Sequence, residues 1–267
     1  MSIPSTMRAV IVQKNKTIAV QDVSMPTIKD NEVPIKVHAI AQNPTDWKEP
    51  GSISGVDYAG VVVKVGTSVT HLKAGDQVSS FTFGGTYRDV GAFAEYAKAD
   101  ADLVWLVPSG TITLEEASTM NCAYLYMLEV GLSSEHFPAS VGQFAIQLAH
   151  LSGYKVITVA SPTNHPLVKG LGADVVLDLA TIRAMGIGPG KIIVLQTSQP
   201  NAIQERLDVN TQHTLIYTVF GNDIKWPNSF WPASSADRAH MVSYIPKITE
   251  FLRHELKIFK IREIEAG

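Results

Sequence analysis

Over residues 1–110, short apolar runs alternate with turn residues at fairly even spacing. The runs are MRAVIV (7–12), EVPIKVHAI (32–40), YAGVVVKVG (58–66), DQVSSFTF (76–83) and FAEYAKAD (93–100). Such spacing predicts strands of an antiparallel barrel or sandwich. Gly and Asp in VGTSVTHLKAGDQV and TFGGTYRDVGAF fall where tight turns belong.

The pattern changes near Pro108. Thr113 followed three residues later by Glu116 has the spacing of a capping box and predicts a helix over TLEEASTMNCAYLYMLEVGL (113–132). A second helix is expected over SVGQFAIQLAHL, ending at Gly153. The β-branched run YKVITVAS then predicts a buried parallel strand. HPLVKGLGADVVLDL reads as helix, glycine turn and strand, and KIIVLQTS as a further strand. Beyond about residue 201 the expected order is an apolar strand (TLIYTVFG), a Trp/Pro-rich loop (WPNSFWPAS) and a charged helix starting near Asp237. Helix and strand in alternation is the rhythm of a doubly wound parallel sheet, so the fold class is α/β with a β-rich unit in front.

Composition narrows the function classes. With 45% hydrophobic and 18% charged residues, the 267-residue chain reads as an ordinary globular protein of one large or two ordinary domains. A net charge of -3 and no basic run give no field for a polyanion, so no nucleic-acid partner is expected. The N-terminus reads as a strand and not as a signal peptide, and no stretch approaches the roughly 18 apolar residues of a membrane span. The single cysteine, Cys122, suits a cytoplasmic protein. One cysteine and eight scattered histidines, with no HxH or HxxxH pair, leave no expected metal site.

AQNPTDWK (41–48), SGVDYAGVVVKVG (54–66), GAFAEYAKADADLVWLVP (91–108), ASTMNCAY (117–124), SVGQFAIQLAHLSGYKVITVASPTNH (140–165), LGADVV (171–176) and HTLIYTVFG (213–221) occur in one order along the chain. In these segments the sequence resembles the medium-chain dehydrogenase/reductase superfamily, in particular its zinc-free fungal trans-acting enoyl reductases and quinone-oxidoreductase-like members. The resemblance implies a GroES-like substrate domain (1–125), a reduced Rossmann-type NADP(H)-binding domain (126–225) and a C-terminal segment (226–267) returning towards the substrate domain. It further implies an active site in the cleft between domains and hydride transfer from NADPH to an α,β-unsaturated carbonyl. The partner is then a small-molecule substrate, free or carrier-bound, and the protein a monomer or homodimer.

Enoyl reduction moves negative charge onto the carbonyl oxygen, where a donor must wait. The resemblance gives that place to Lys48, with Asn43 and Thr45 in the same turn. By residue type alone Lys48 is equally a solvated lysine after a proline turn. Ser140, Val141 and Gly142 open a helix where the family holds the pyrophosphate, although a plain helix-entry turn has the same look. After YKVITVAS, NAD-preferring folds place an acidic residue against the ribose 2′-hydroxyl. Here Ser161, Asn164 and His165 stand instead, compatible with a 2′-phosphate or with a polar turn capping the next helix. Tyr217 and Phe220 match the loop beside the nicotinamide, and Thr119, Asn121 and Cys122 the substrate pocket, by resemblance. Cys122 by itself reads as a small buried hydrophobe.

Four departures accompany the resemblance. KEPGSIS is shorter than the family's connection after Trp47. GLSSEHFPA (131–139) replaces the apolar first Rossmann strand. A strand-helix unit is missing between GADVVLDL and KIIVLQTS, and IREIEAG stops short of the closing strands. The competing reading is a non-redox protein on the same scaffold, a lyase, cyclase, decarboxylase or accessory binding partner.

Overall fold

The strand Glu32–Ala41, buried over residues 32–35 and alternating exposed with half-buried positions over 36–41, pairs through its backbone groups on both edges, and the first sheet grows from it. In the computed structural model, which describes residues 3–46, 50–123, 140–178, 190–194, 209–213, 215–226 and 229–253, the chain divides into two compact units. One comprises Met1–Cys122 with Val242–Gly267, the other Ala123–Met241.

In the first unit β1 (Thr6–Val12) and β2 (Ile18–Ser24) form an antiparallel hairpin. β3 (Glu32–Ala41), β4 (Asp57–Val62), β5 (Gln77–Phe81), β6 (Tyr96–Asp100) and β7 (Trp105–Leu106) form an antiparallel sheet of order β6-β3-β4-β5-β7. Its apolar face closes over Val33, Ile35, Tyr58, Val62, Val78 and Ala97. The hairpin joins this framework through bridges from Ala9 to Ala94 and from Ile11 to Ile53.

Residues 51–56, just before β4, are gripped on both sides. Gly85 N–H donates to Ile53 O at 2.7 Å, Ala92 N–H to Gly55 O at 3.0 Å and Phe93 N–H to Ser54 O at 2.9 Å. Gly55 has φ +92°, and a β-carbon there would run into the Phe93 ring. Glycine is therefore required twice over, by the backbone angle and by the close approach. This grip fixes where Asp57, the first residue of β4, enters the sheet.

The capping box at Thr113 is formed in both directions: Glu116 N–H donates to Thr113 Oγ1 at 3.2 Å and Thr113 N–H to the Glu116 carboxylate at 2.9 Å. The helix it opens, α1 (Leu114–Ser118), is shorter than the apolar run predicts. Thr119 Oγ1 bonds back to Glu116 O at 2.8 Å, an interaction that competes with the helical ladder, and residues 121–123 are helical again.

The second unit carries the α/β rhythm. α2 (Ser140–Leu151), β8 (Ile157–Val159), α3 (His165–Gly170) and β9 (Val175–Leu177) pack Ile146, Ala149, Val156, Val168, Leu171 and Ala173 into one cluster. β8 and β9 are parallel, as are β10 (Gly190–Val194) and β11 (Val209–His213). Gly172, at φ +107°, reverses the chain against the His150 ring.

Three expectations need correction. Ile157, expected in a buried strand, is 63% exposed, because β8 pairs only with β9 among the described residues. The strand expected over TLIYTVFG falls earlier, on β11; Ile216–Phe220 is instead a 3-10 helix. Thr218 Oγ1 bonding to Leu215 O at 2.9 Å and the left-handed Gly221 close that turn. The Trp/Pro-rich segment expected as a loop forms a short hairpin of β12 (Ile224–Trp226) and β13 (Ser229–Trp231), two strand-forming triads on either side of a Pro-Asn dipeptide. The charged helix is present as α4 (Ser235–Arg253). Among the described residues no helix is long and apolar enough to cross a membrane.

Lys48, GLSSEHFPA (131–139), the junction at 179–189 and IREIEAG lie outside the described residues.

Candidate functional site

The turn at 43–46 is built by its own side chains. Asn43 N–H donates to Asp46 Oδ2 at 2.6 Å, Asp46 N–H returns to Asn43 O at 3.1 Å, and Ser54 Oγ donates to Asp46 O at 2.5 Å. Asn-Pro-Thr-Asp is a sequence that favours such a side-chain-closed turn. Asn43 and Thr45 are half-buried on it. Burial pushes the Asp46 carboxyl up to about 6, against the lowering effect of N–H groups from Asn43 and Val56.

Asn43 also reaches a second carboxylate. Its Nδ2 donates to Asp57 Oδ2 at 3.0 Å, while the Cys122 N–H donates to Asp57 Oδ1 at 2.9 Å. Asp57 is fully enclosed, and burial pushes its carboxyl up to about 7 despite these two donors; the charge of Asp46 adds to the rise. The periodic pattern around SGVDYAG marks Asp57 only as a strand residue, so its place in this cluster was not legible from sequence. A carboxylate at the head of an otherwise apolar strand is the one available signal.

Asn121 is 1% exposed. Its Oδ1 accepts from Trp105 Nε1 at 2.8 Å and Ser79 Oγ at 3.1 Å, and its Nδ2 faces Tyr58 O and Ser118 O. The amide thus joins β4, β5, β7 and α1. Cys122 is buried, and Thr119 is half-buried with its hydroxyl bonded back to α1. Asn43, Asn121 and Cys122 are thereby linked through β4, by way of Asp57 and Tyr58.

In the second unit Val141 and Gly142 are half-buried in the first turn of α2, which begins at Ser140. Directly after β8, Ser161, Thr163 and Asn164 are exposed and bonded to one another: Asn164 Nδ2 donates to Ser161 Oγ at 3.1 Å, and the Ser161 and Thr163 hydroxyls are 3.2 Å apart. His165 turns back, its Nε2 3.1 Å from Ala160 O. Residues 160–165 contain no carboxylate. Tyr217 is buried in the 3-10 helix and Phe220 half-buried at its end. That helix is held by α4, since Thr218 Oγ1 donates to Asp237 Oδ2 at 2.5 Å and Arg238 to Val219 O at 3.1 Å. Among the described residues no three His, Cys, Asp or Glu side chains converge as a cation would need.

Residues 29–109 match the alcohol dehydrogenase GroES-like domain. The trans-enoyl reductase ACTTS2 of Alternaria alternata is 36% identical over 201 residues, covering 65% of this chain and 58% of its own length. The trans-enoyl reductase resD of Aspergillus sclerotiorum is 31% identical over 307 residues, covering 86% of this chain and 84% of its own. A putative zinc-dependent alcohol dehydrogenase from Rhizobium etli shares the fold with a TM-score of 0.76 at 21% identity, covering 94% of this chain and 88% of that one. Mycobacterial Rv1454c, solved with NADPH, does so with a TM-score of 0.59 at 22% identity, over 79% and 82%. Matching segments thus run through the GroES-like part and the α/β part alike, and the chain belongs to the fungal trans-enoyl reductases of the medium-chain dehydrogenase/reductase superfamily.

Proposed function

We propose that this protein is an NADPH-dependent oxidoreductase that reduces an α,β-unsaturated carbonyl in secondary metabolism. The observation that carries the reading is the turn after β8: hydroxyls and an amide from Ser161, Thr163 and Asn164 stand exposed at the end of a parallel strand, with no carboxylate to repel a phosphate. Those donors would hold the 2′-phosphate, and the N-terminal turn of α2 at Ser140, Val141 and Gly142 the pyrophosphate. Tyr217 and Phe220, on a 3-10 helix pinned by Asp237 and Arg238, would flank the nicotinamide. NADPH, when bound, supplies the hydride.

The chain's own residues supply the rest. Lys48, two residues beyond the Asp46 turn, would present its ammonium to the carbonyl oxygen as charge gathers there, and Thr45 a hydroxyl to the same atom. Thr119 and Cys122 would line the substrate pocket, with Asn121 bracing the wall from behind. The zinc-free chemistry, the cytoplasmic setting and the carrier-bound form of the substrate belong to the same proposal.

The test is turnover of an α,β-unsaturated thioester followed by loss of nicotinamide absorbance. NADPH oxidation is expected, with NADH a poorer donor. Ser161→Asp places a carboxylate beside the phosphate position and is expected to reverse that preference by at least tenfold. Turnover with no nicotinamide, or equal use of both nucleotides unaltered by Ser161→Asp, would defeat the reading.

A further inference from the structure

Asp57 has no part in the chemistry just proposed, yet it is the most deeply buried carboxylate of the cluster, 1% exposed. Burying a carboxylate costs stability, and an apolar side chain of similar size commonly serves a core better. What Asp57 does at this cost is visible in its two bonds. One oxygen takes the Asn43 side-chain amide at 3.0 Å and the other the Cys122 main-chain N–H at 2.9 Å. The donors lie 14 and 65 residues from Asp57 along the chain, so one carboxyl group ties two remote segments to the head of β4. Neither bond could come from an apolar residue. Asp57 is itself held from below by the gripped 51–56 segment, with Thr82 N–H on Val56 O at 2.9 Å, and by pairing with Ala41 and Phe81.

Both segments carry residues of the reductase reading. The 43–46 turn bears Asn43 and Thr45 and leads into Lys48; the other segment bears Thr119 and Cys122. We propose that Asp57 is a positioning residue that fixes the 43–46 turn against the 119–122 segment and so sets where Thr45 stands for the reaction. The proposal rests on that reading for its consequence in turnover, but not for its structural half.

Two substitutions separate bonding from bulk. Asp57→Leu fills the space and removes both acceptors; Asp57→Asn keeps an acceptor for Cys122 N–H and, with Asn43 rotated, a bond to Asn43. In the full-length protein, amide hydrogen exchange in D57L should accelerate at least tenfold in both 43–46 and 119–123 while the β3–β4–β5 ladder is unchanged, and D57N should stay within about threefold of the parent in both. In the reductase assay D57L should lower kcat at least tenfold with KM for NADPH unaltered, and D57N should recover most of it. Acceleration in one segment only, or in neither, overturns the proposal, as does full kcat in a folded D57L. Should D57L not fold, Asn43→Leu breaks the same bridge from the turn; it must then accelerate exchange at Cys122 as well as in 43–46, and a change confined to the turn is the contrary result. If the parent proves not to be a reductase, the exchange experiment still decides the positioning role alone.

Discussion

At the scale of single residues, the buried carboxylates give the protein a pH dependence whose sign can be worked out. The Asp57 carboxyl stands at about 7 in the folded chain against an ordinary 3.8, and Asp46 at about 6. Between about pH 4 and pH 7 the folded state therefore holds protons that the unfolded state has released. The contribution of these two carboxyls is expected to be full at the acidic end of that window and to fall as pH rises through it, by up to roughly 4 kcal/mol for Asp57 alone. Thermal unfolding across this range checks it: the slope should be shallower in Asp57→Asn, and a parent curve that rises with pH would contradict the assignment. At Gly55, substitution by Ala meets both the positive φ and the Phe93 ring. A loss of about 1–3 kcal/mol in denaturant unfolding is expected, the range typical of forced backbone conformations. Asn43, Thr45 and Cys122 could be singled out by residue type and resemblance, whereas Asp57 could not, because hydrogen bonds between residues 14 and 65 positions apart leave no periodic trace in a sequence.

Among the elements, local structure is legible in the sequence where one residue dictates one geometry. Thr113 and Glu116 form the capping box that their spacing predicts. Thr113→Ala should cost about 1 kcal/mol, measured by chemical denaturation, since it strips the cap from α1. Glycine at 172 and the strands β3 to β6 were likewise legible. Apolar composition alone does not separate a strand from a helical turn. Ile216–Phe220 has the residues of a strand, but Thr218 is drawn to Leu215 O and to Asp237 on α4, and Gly221 closes the turn. Thr218→Val removes both bonds without changing the shape of the side chain. Under the reductase reading it should raise KM for NADPH several-fold with a smaller change in kcat; an unaltered KM would detach the 3-10 helix from cofactor binding.

For the whole molecule, family membership and the α/β class could be read from the order of segments, because seven motifs in sequence constrain a fold far more than any one of them. The parallel pairs β8–β9 and β10–β11 and the antiparallel GroES-like sheet carry that order into structure. A shared scaffold leaves the chemistry open, so the NADPH half of the reductase reading rests on a particular turn and its reaction on the trans-enoyl reductase relatives. The most direct test is therefore binding: unfolding temperature followed while NADPH or NADH is added to the full chain. NADPH at a hundred times its Kd should add about 2.7 kcal/mol of stability, with NADH needing a higher concentration for the same shift. No shift at millimolar NADPH would contradict the proposed function.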